Sequence, residues 1–337
     1  MAARKINVAV VGAGFMGATH LRVYQQLPRV RIAAICDVSR RIVDGVLRGV
    51  AGNIQQVGDL RLGPEVKVLS ELAPLLADDS IDAIDVCTPT ALHPEQVIAS
   101  LKAGKHVLCE KPLAQTSADA RRILKVAAKS RSLLMPAMCM RFWPGWTWLK
   151  EVCQKRTYGK ILAAHFRRLS GRPTWGAAGS HPGGALLDMH IHDTDFVCFL
   201  FGRPRKVFST GLRNASGVVD HVVTQYLFDD GPAVSAEGSW LHAGGFNMSY
   251  LIHCERATLD FDLQRGPDAL RVSEPGRKTR AVKLRGQDGY HGEIRHFVDC
   301  IIRHKASDIS PAADALATLE VCEAEQKSVS SGAPVKV

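Results

Sequence analysis

The sequence predicts an α/β protein: an N-terminal doubly wound parallel sheet followed by a C-terminal α+β domain built on a largely antiparallel open sheet. Three observations carry this. A β-branched run enters Gly12-Ala13-Gly14-Phe15-Met16-Gly17 and passes into a helix-like pattern. Short apolar runs then alternate with helical stretches as far as about residue 140, the mark of a parallel sheet with crossover helices. Beyond that point, strand-like runs follow one another between Gly, Asn, Asp and Pro clusters, with one helix among them.

The first element opens the case for function. Val8, Ala9, Val10 and Val11 form a strand, and Leu21, Tyr24 and Leu27 mark the helix after the turn. In a dinucleotide site of this shape Gly12 permits the tight turn, Gly14 lets the backbone approach a pyrophosphate, and Gly17 lets the helix pack on the strand. Free N–H groups at the helix start, those of Phe15 and Met16 among them, favour phosphate. A second apolar run, from Ile32 to Cys36, ends in Asp37, where a ribose hydroxyl is bound in such folds. Asp37 therefore predicts NAD over NADP, with Arg40 and Arg41 offsetting part of that preference and leaving NADP possible.

Bulk composition narrows the rest. At 337 residues, with 46% hydrophobic and 23% charged, the chain has the make-up of a soluble two-domain protein. No apolar run approaches the roughly 18 residues of a membrane span. Arg4 and Lys5 precede an apolar run as in a signal peptide, but glycines at cofactor spacing break that run, so it reads as the first strand. Nine cysteines make no C-x-x-C pair and their count is odd. Cys36, Cys87 and Cys109 read as small buried hydrophobes in a reducing, cytoplasmic compartment. The net charge of +10 is spread without a Lys/Arg block, so nucleic acid and membrane are not expected partners.

In order, the first domain (1–140) places strands at 67–69, 83–87, 105–109 and 133–138, with helices at 71–77, 93–103 and from a Ser117 cap to 129. Gly12 to Gly17, Asp37, Thr88-Pro89-Thr90 and Glu110-Lys111-Pro112 all follow strand ends, where open parallel sheets bind ligands. The second domain (141–337) opens with Trp143, Trp146 and Trp148 as packing residues. Strands are expected at 161–168, 206–212, 218–228, 233–241, 246–254, 257–263, 270–272 and 280–284, and helices at 292–304 and 312–330.

The interrupting helix runs from Gly183 to Phe201, with Leu187, Ile191, Thr194 and Cys198 as a buried stripe. Asp188 and His192, four apart, share a face, so the carboxylate can hold the imidazole's tautomer and raise its basicity. Spacing alone favours the plainer reading of an exposed pair that supports the helix. His190 and His192, two apart, point in different directions and chelate poorly, so no metal is expected.

Taken together, Gly12-x-Gly14-x-x-Gly17 with His20, Asp37, Thr88-Pro89-Thr90-x-x-His93, Glu110-Lys111-Pro112 and Gly183-Gly184 leading to Asp188-x-x-x-His192-x-x-Asp195 resemble the Gfo/Idh/MocA family. This is the glucose–fructose oxidoreductase and inositol dehydrogenase group, and the resemblance runs to the terminal Val335-Lys336-Val337. It reverses the reading of the Asp188/His192 pair. It implies an NAD(P)-dependent enzyme that moves a hydride between a secondary alcohol or ketone of a sugar, cyclitol or related polyol and nicotinamide. Lys111 and His192 would be the catalytic pair, with Asp188 binding substrate and supporting the histidine. Gly12, Gly14, Phe15, Met16, Gly17, Asp37, Arg40, Thr88, Pro89, His93, Glu110 and Lys111 would hold the cofactor.

Two other readings keep the fold: hydrolysis or elimination on a glycoside through transient oxidation, and a non-enzymatic NAD-binding regulator. Intact Lys111, Asp188 and His192 argue against the second. The resemblance also implies a homodimer or homotetramer joined through the open sheet. Two positions depart from the family's habit, Pro182 for a third glycine and His190 for a small residue, and both are expected near the substrate pocket.

Overall fold

The computed structural model describes residues 4–39, 41–49, 58–173 and 183–337. The chain divides into two compact units, Met1–Phe142 with Asp288–Leu316, and Trp143–Gln287 with Ala317–Val337.

In the first unit, β1 (Ile6–Val11), α1 (Phe15–Gln26) and β2 (Val30–Cys36) form the opening crossover. Three two-residue strands, β3 (Ile42–Val43), β4 (Val46–Leu47) and β5 (Leu60–Arg61), make a small antiparallel sheet that the sequence reading lacks. They are too short to show a period of two. Next come β6 (Lys67–Leu69), α2 (Ala73–Ala77), β7 (Ala83–Val86), α3 (His93–Lys102), β8 (His106–Glu110), α4 (Ser117–Ala127) and β9 (Leu134–Ala137). The six-stranded sheet has the order β6-β2-β1-β7-β8-β9 and every pairing is parallel. Strand order reverses between β1 and β7, the switch point beside which such sheets bind ligands. Thr116, not Ser117, caps α4: its side chain accepts from the Asp119 amide.

The second unit carries α5 (Pro144–Lys155), β10 (Ile161–Leu169), a π-helical turn (Leu186–His190), α6 (Ile191–Phe201), β11 (Lys206–Arg213), β12 (Val219–Leu227), β13 (Ala233–Ser239), β14 (Asn247–Cys254), β15 (Thr258–Asp262), β16 (Leu270–Ser273) and β17 (Arg280–Ala281). Its nine-stranded sheet runs β17-β16-β15-β14-β10-β13-β12-β11-β18, where β18 is Val335–Lys336. The β10–β13 pair is parallel and the other pairings are antiparallel. On β12 and β14 buried and open residues alternate, as a sheet with one covered face requires. Trp146 lies edge-on to Tyr250 and Phe261, with ring centroids 5.3 and 4.8 Å away, and so fastens α5 to the covered face.

Two helices follow, α7 (Gly289–Arg303) and α8 (Ala312–Ser331). The sequence reading placed α7 in a second domain beginning at 141. In the structure it belongs to the first unit, packed on α1 and on the turn Cys139–Phe142, with Ile294, Phe297, Val298 and Ile301 buried. An amphipathic helix carries no local mark of which sheet it will cover.

Candidate active site

The glycine turn has the geometry its spacing implies. Gly12 sits at φ +94°, and a Cβ there would lie 2.6 Å from the Cys87 carbonyl oxygen at the end of β7. A Cβ on Gly17 would strike the Gly12 carbonyl. A Cβ on Gly14 would meet nothing within 4 Å, so the backbone is open on that side. Gly14 is also the N-cap of α1 and supplies no side-chain cap to the first-turn amides of Phe15, Met16 and Gly17. An open backbone at an uncapped helix start fits a pyrophosphate. Asp37 lies just past β2, where its carboxylate accepts from the Ala13 amide at 2.6 Å and from the Ser39 amide at 2.7 Å. It therefore fixes the glycine turn itself. Arg40 and Pro182 lie outside the described residues.

The loops after β7 and β8 are tied together by His93. Its Nδ1 lies 2.8 Å from the Pro112 carbonyl and its Nε2 lies 2.8 Å from the Thr88 carbonyl. The ring is buried, and burial pulls its pKa below the ordinary histidine value. His93, a candidate cofactor residue, sets its two ring nitrogens against the Thr88-Pro89 and Lys111-Pro112 segments. Thr88 Oγ1 donates to Gln96 at 2.6 Å, which anchors the same loop to α3. The Lys111 amide donates to its neighbour's carboxylate, Glu110 Oε2, at 2.9 Å.

Behind Glu110 is a buried polar cluster. His20 Nδ1 lies 2.8 Å from Asp85 Oδ2, and Nε2 lies 3.2 Å from Glu110 Oε1 and 3.9 Å from Glu293 Oε1. Burial pushes His20 toward neutrality, but Asp85 and Cys87 outweigh it and hold its pKa well above the ordinary value. Glu293 is raised as well, which for a carboxyl favours the neutral form. Burial first, and then the Glu110 charge, raise it well above the carboxylate range against the pull of His20. Cys87, expected as a plain hydrophobe, instead donates Sγ–H to Asp85 Oδ1 at 3.4 Å. Burial pushes its thiol pKa up, so it stays protonated.

In the second unit, Asp188 lies in the π-helical turn and His192 in the first turn of α6; both are half-buried. The helix is not uniformly α as expected; π-turns of this kind occur often at functional sites. Nor does α6 show a simple apolar stripe. Asp193, Thr194 and Asp195 are buried as well, because each has a polar partner. Arg168 on β10 grips Asp193 through two bonds of 3.0 Å each, from Nε and Nη2. Thr194 Oγ1 donates to Glu325 at 3.0 Å, and Thr318 Oγ1 donates to Asp195 at 3.1 Å. His190 is expected near the substrate pocket. It is fully buried, with Nε2 3.2 Å from Thr224 Oγ1 and 3.3 Å from Glu325 Oε1. Its room comes from Gly238, where a Cβ would lie 2.6 Å from the His190 Cβ.

Residues 6–138 match the oxidoreductase family with an NAD-binding Rossmann fold, GFO_IDH_MocA, and residues 146–260 match the GFO/IDH/MocA C-terminal domain. The chain belongs to the Gfo/Idh/MocA oxidoreductase family. It is 28% identical over 348 residues to inositol 2-dehydrogenase 2 of Saccharopolyspora erythraea, covering 98% of this chain and 96% of that one. With myo-inositol 2-dehydrogenase of Thermotoga maritima the identity is 27% over 307 residues, 87% of each chain. In fold it matches a levoglucosan dehydrogenase solved with NADH and levoglucosan, at TM-score 0.84 and 20% identity, over 99% of this chain and 100% of that one.

As a Gfo/Idh/MocA chain it places Gly12, Gly14, Gly17, Asp37, Thr88, Pro89, Glu110 and Lys111 in one unit at or beyond the carboxyl ends of parallel strands. Asp188 and His192 belong to the other unit. The sequence reading missed Asp85, Glu293, Arg168 and Glu325. One signal was available: Asp85 is a charge inside the otherwise apolar run of β7, and such a residue needs a buried partner. Among the described residues, groups with metal-ligand spacing centre on His20 and include neither His190 nor His192.

Proposed function

We propose that this oxidoreductase oxidises a secondary alcohol of a sugar, cyclitol or related polyol with NAD, and reduces the matching ketone in reverse. The observation that carries the reading is Lys111, fixed by Glu110 just past a strand of the sheet whose glycine turn leaves Gly14 open. The bound nicotinamide supplies the hydride acceptor. The open turn at Gly12, Gly14 and the first-turn amides of α1 would hold the pyrophosphate and Asp37 the adenosine ribose, with Thr88, Pro89 and Glu110 available to the nicotinamide. Neutral His192 takes the hydroxyl proton, and Asp188 binds substrate and holds the imidazole's tautomer. The Lys111 ammonium stabilises the alkoxide as it forms. In the reverse direction His192 or Lys111 returns the proton.

The similarity to inositol and levoglucosan dehydrogenases supports this substrate class over a hydrolytic or regulatory role. The open face of the nine-stranded sheet, with Leu212, Leu227 and Leu251 exposed, supports a homodimer or homotetramer. All nine cysteines are free thiols, which supports a cytoplasmic setting. No helix among the described residues is long and apolar enough to cross a membrane. The test is the purified chain with NAD and a panel of inositols, anhydrosugars and aldoses. The expected result is NADH formation that depends on one of these alcohols. NADH formed from none of them, with NAD bound, would contradict the proposal.

A further inference from the structure

Behind Lys111, the His20 cluster joins elements from four parts of the chain: His20 and Tyr24 on α1, Asp85 on β7 with Cys87 just past it, Glu110 ending β8, and Glu293 on α7. Apart from Cys87, which is partly covered, all are buried. The charges do not balance. One imidazole faces three carboxyl groups, at 2.8, 3.2 and 3.9 Å. Among the described residues neither oxygen of Glu293 has a hydrogen-bond partner, and His20 Nε2 meets Glu110 and Glu293 as ion-pair contacts without a formed hydrogen bond. Three ionised carboxylates around one imidazolium would leave two uncompensated negative charges in a dry interior, which is costly. One added proton removes half of that excess.

We propose that Glu293 is a neutral carboxylic acid in the working protein and that, with His20, it positions Lys111 through Glu110. The protons are assigned as follows. His20 carries N–H on both nitrogens, toward Asp85 and Glu110. Asp85 and Glu110 are ionised, and Glu293 keeps its proton beside them. Glu110 Oε1 then faces the His20 charge at 3.2 Å while Oε2 accepts the Lys111 amide, so the backbone that bears Lys111 is held from behind by that ion pair. Ionising Glu293 puts a second negative charge against Glu110 and loosens that hold. The other charged or titratable groups acting on Glu293 are His20, Asp85 and, at the start of α7, Asp288. The same donors have metal-ligand spacing, but a doubly protonated His20 has no lone pair for a metal.

Glu293 is here a positioning residue, and the kinetic part of this inference rests on Lys111 acting in catalysis. The experiment compares wild type, Glu293→Gln and Glu293→Ala as full chains. Gln mimics the neutral acid, so E293Q should keep kcat within about threefold, whereas E293A should lose roughly ten- to hundredfold, the scale of a misplaced catalytic group. In E293Q the alkaline fall of the kcat–pH profile should move to higher pH, because position 293 can no longer ionise. Independently of turnover, infrared difference spectra of wild type against E293Q at neutral pH should show a protonated-carboxyl stretch that E293Q lacks. The proposal is overturned if that band is missing, if E293Q is as slow as E293A, or if elemental analysis finds a stoichiometric metal whose binding E293Q abolishes. A Lys111→Ala variant as active as wild type would refute the catalytic reading, while the infrared band would still report the proton on Glu293.

Discussion

Arg168 in the second unit and His20 in the first are both buried cations, and they are balanced differently. Arg168 meets one carboxylate, Asp193, through two bonds of 3.0 Å. Guanidinium and carboxylate match in charge and shape. His20 meets Asp85, Glu110 and Glu293, a set that is neutralised only in part. The first arrangement fixes the start of α6 beside His192 by geometry alone. The second fixes Lys111 on condition that protons stay in place. A buried charge can thus serve as a rigid pin or as a pH-dependent one, and the number of carboxylates around it decides which.

The largest effect expected from breaking the comparison is on the rigid pin. Arg168→Ala leaves Asp193 buried and unpaired, so stability should fall by about 3–5 kcal/mol. Replacing both at once, Arg168→Met with Asp193→Leu, should recover most of that loss. Denaturant unfolding of the three chains checks this. A single variant within about 0.5 kcal/mol of wild type, the range of an ordinary surface change, would show the pair is not a pin.

Next in size is Asp37, a carboxylate pinned to the glycine turn. A 2′-phosphate about 4 Å away would be repelled by roughly 1 kcal/mol in water and roughly 4 at a protein surface. At 1.4 kcal/mol per tenfold, NAD should be preferred by roughly tenfold to several hundredfold. Asp37→Ser should relax this toward NADP. Because Asp37 also accepts from the Ala13 amide, the variant should weaken NAD binding too. Values of kcat/KM for both cofactors at one salt concentration decide it. A wild type that favours NADP would mean that arginines such as Arg41 outweigh the aspartate.

The smallest effect sharpens the conditional pin. His20 and Glu293 both have folded pKa values raised above their unfolded ones. Stability from such groups is present below the unfolded values, about 6.5 for histidine and about 4.3 for glutamate, and is lost as pH rises through the folded values. Each extra proton held by the native state makes stability fall by about 1.4 kcal/mol per pH unit. Around neutral pH the E293Q slope should be less negative than wild type by about that amount. Equal slopes would mean that Glu293 holds no extra proton when folded.

The first unit's glycine turn was legible because backbone geometry constrains residue type. Only glycine fits at positions 12 and 17, and strand ends gather the loops of a parallel sheet. The second unit's support was not, because Arg168, Thr318 and Glu325 reach α6 from distant segments and no local period links them. The burial of His190 was hidden for the same reason: Gly238 makes its room from 48 positions away along the chain. His20 was visible as a motif residue, but its partner Glu293 lies on a helix whose place in the first unit the sequence does not announce.

Lys111 and His192 are proposed to serve one alcohol. A double-mutant cycle on kcat tests it most directly, with Lys111→Ala, His192→Ala and the double variant assayed on the same polyol. Each single change should cost about 10²–10³ in rate while NADH binding persists. The double variant should be only a few-fold slower than the worse single, because residues that act as a unit are non-additive. Losses that multiply, or either single variant turning over at the wild-type rate, would contradict the account.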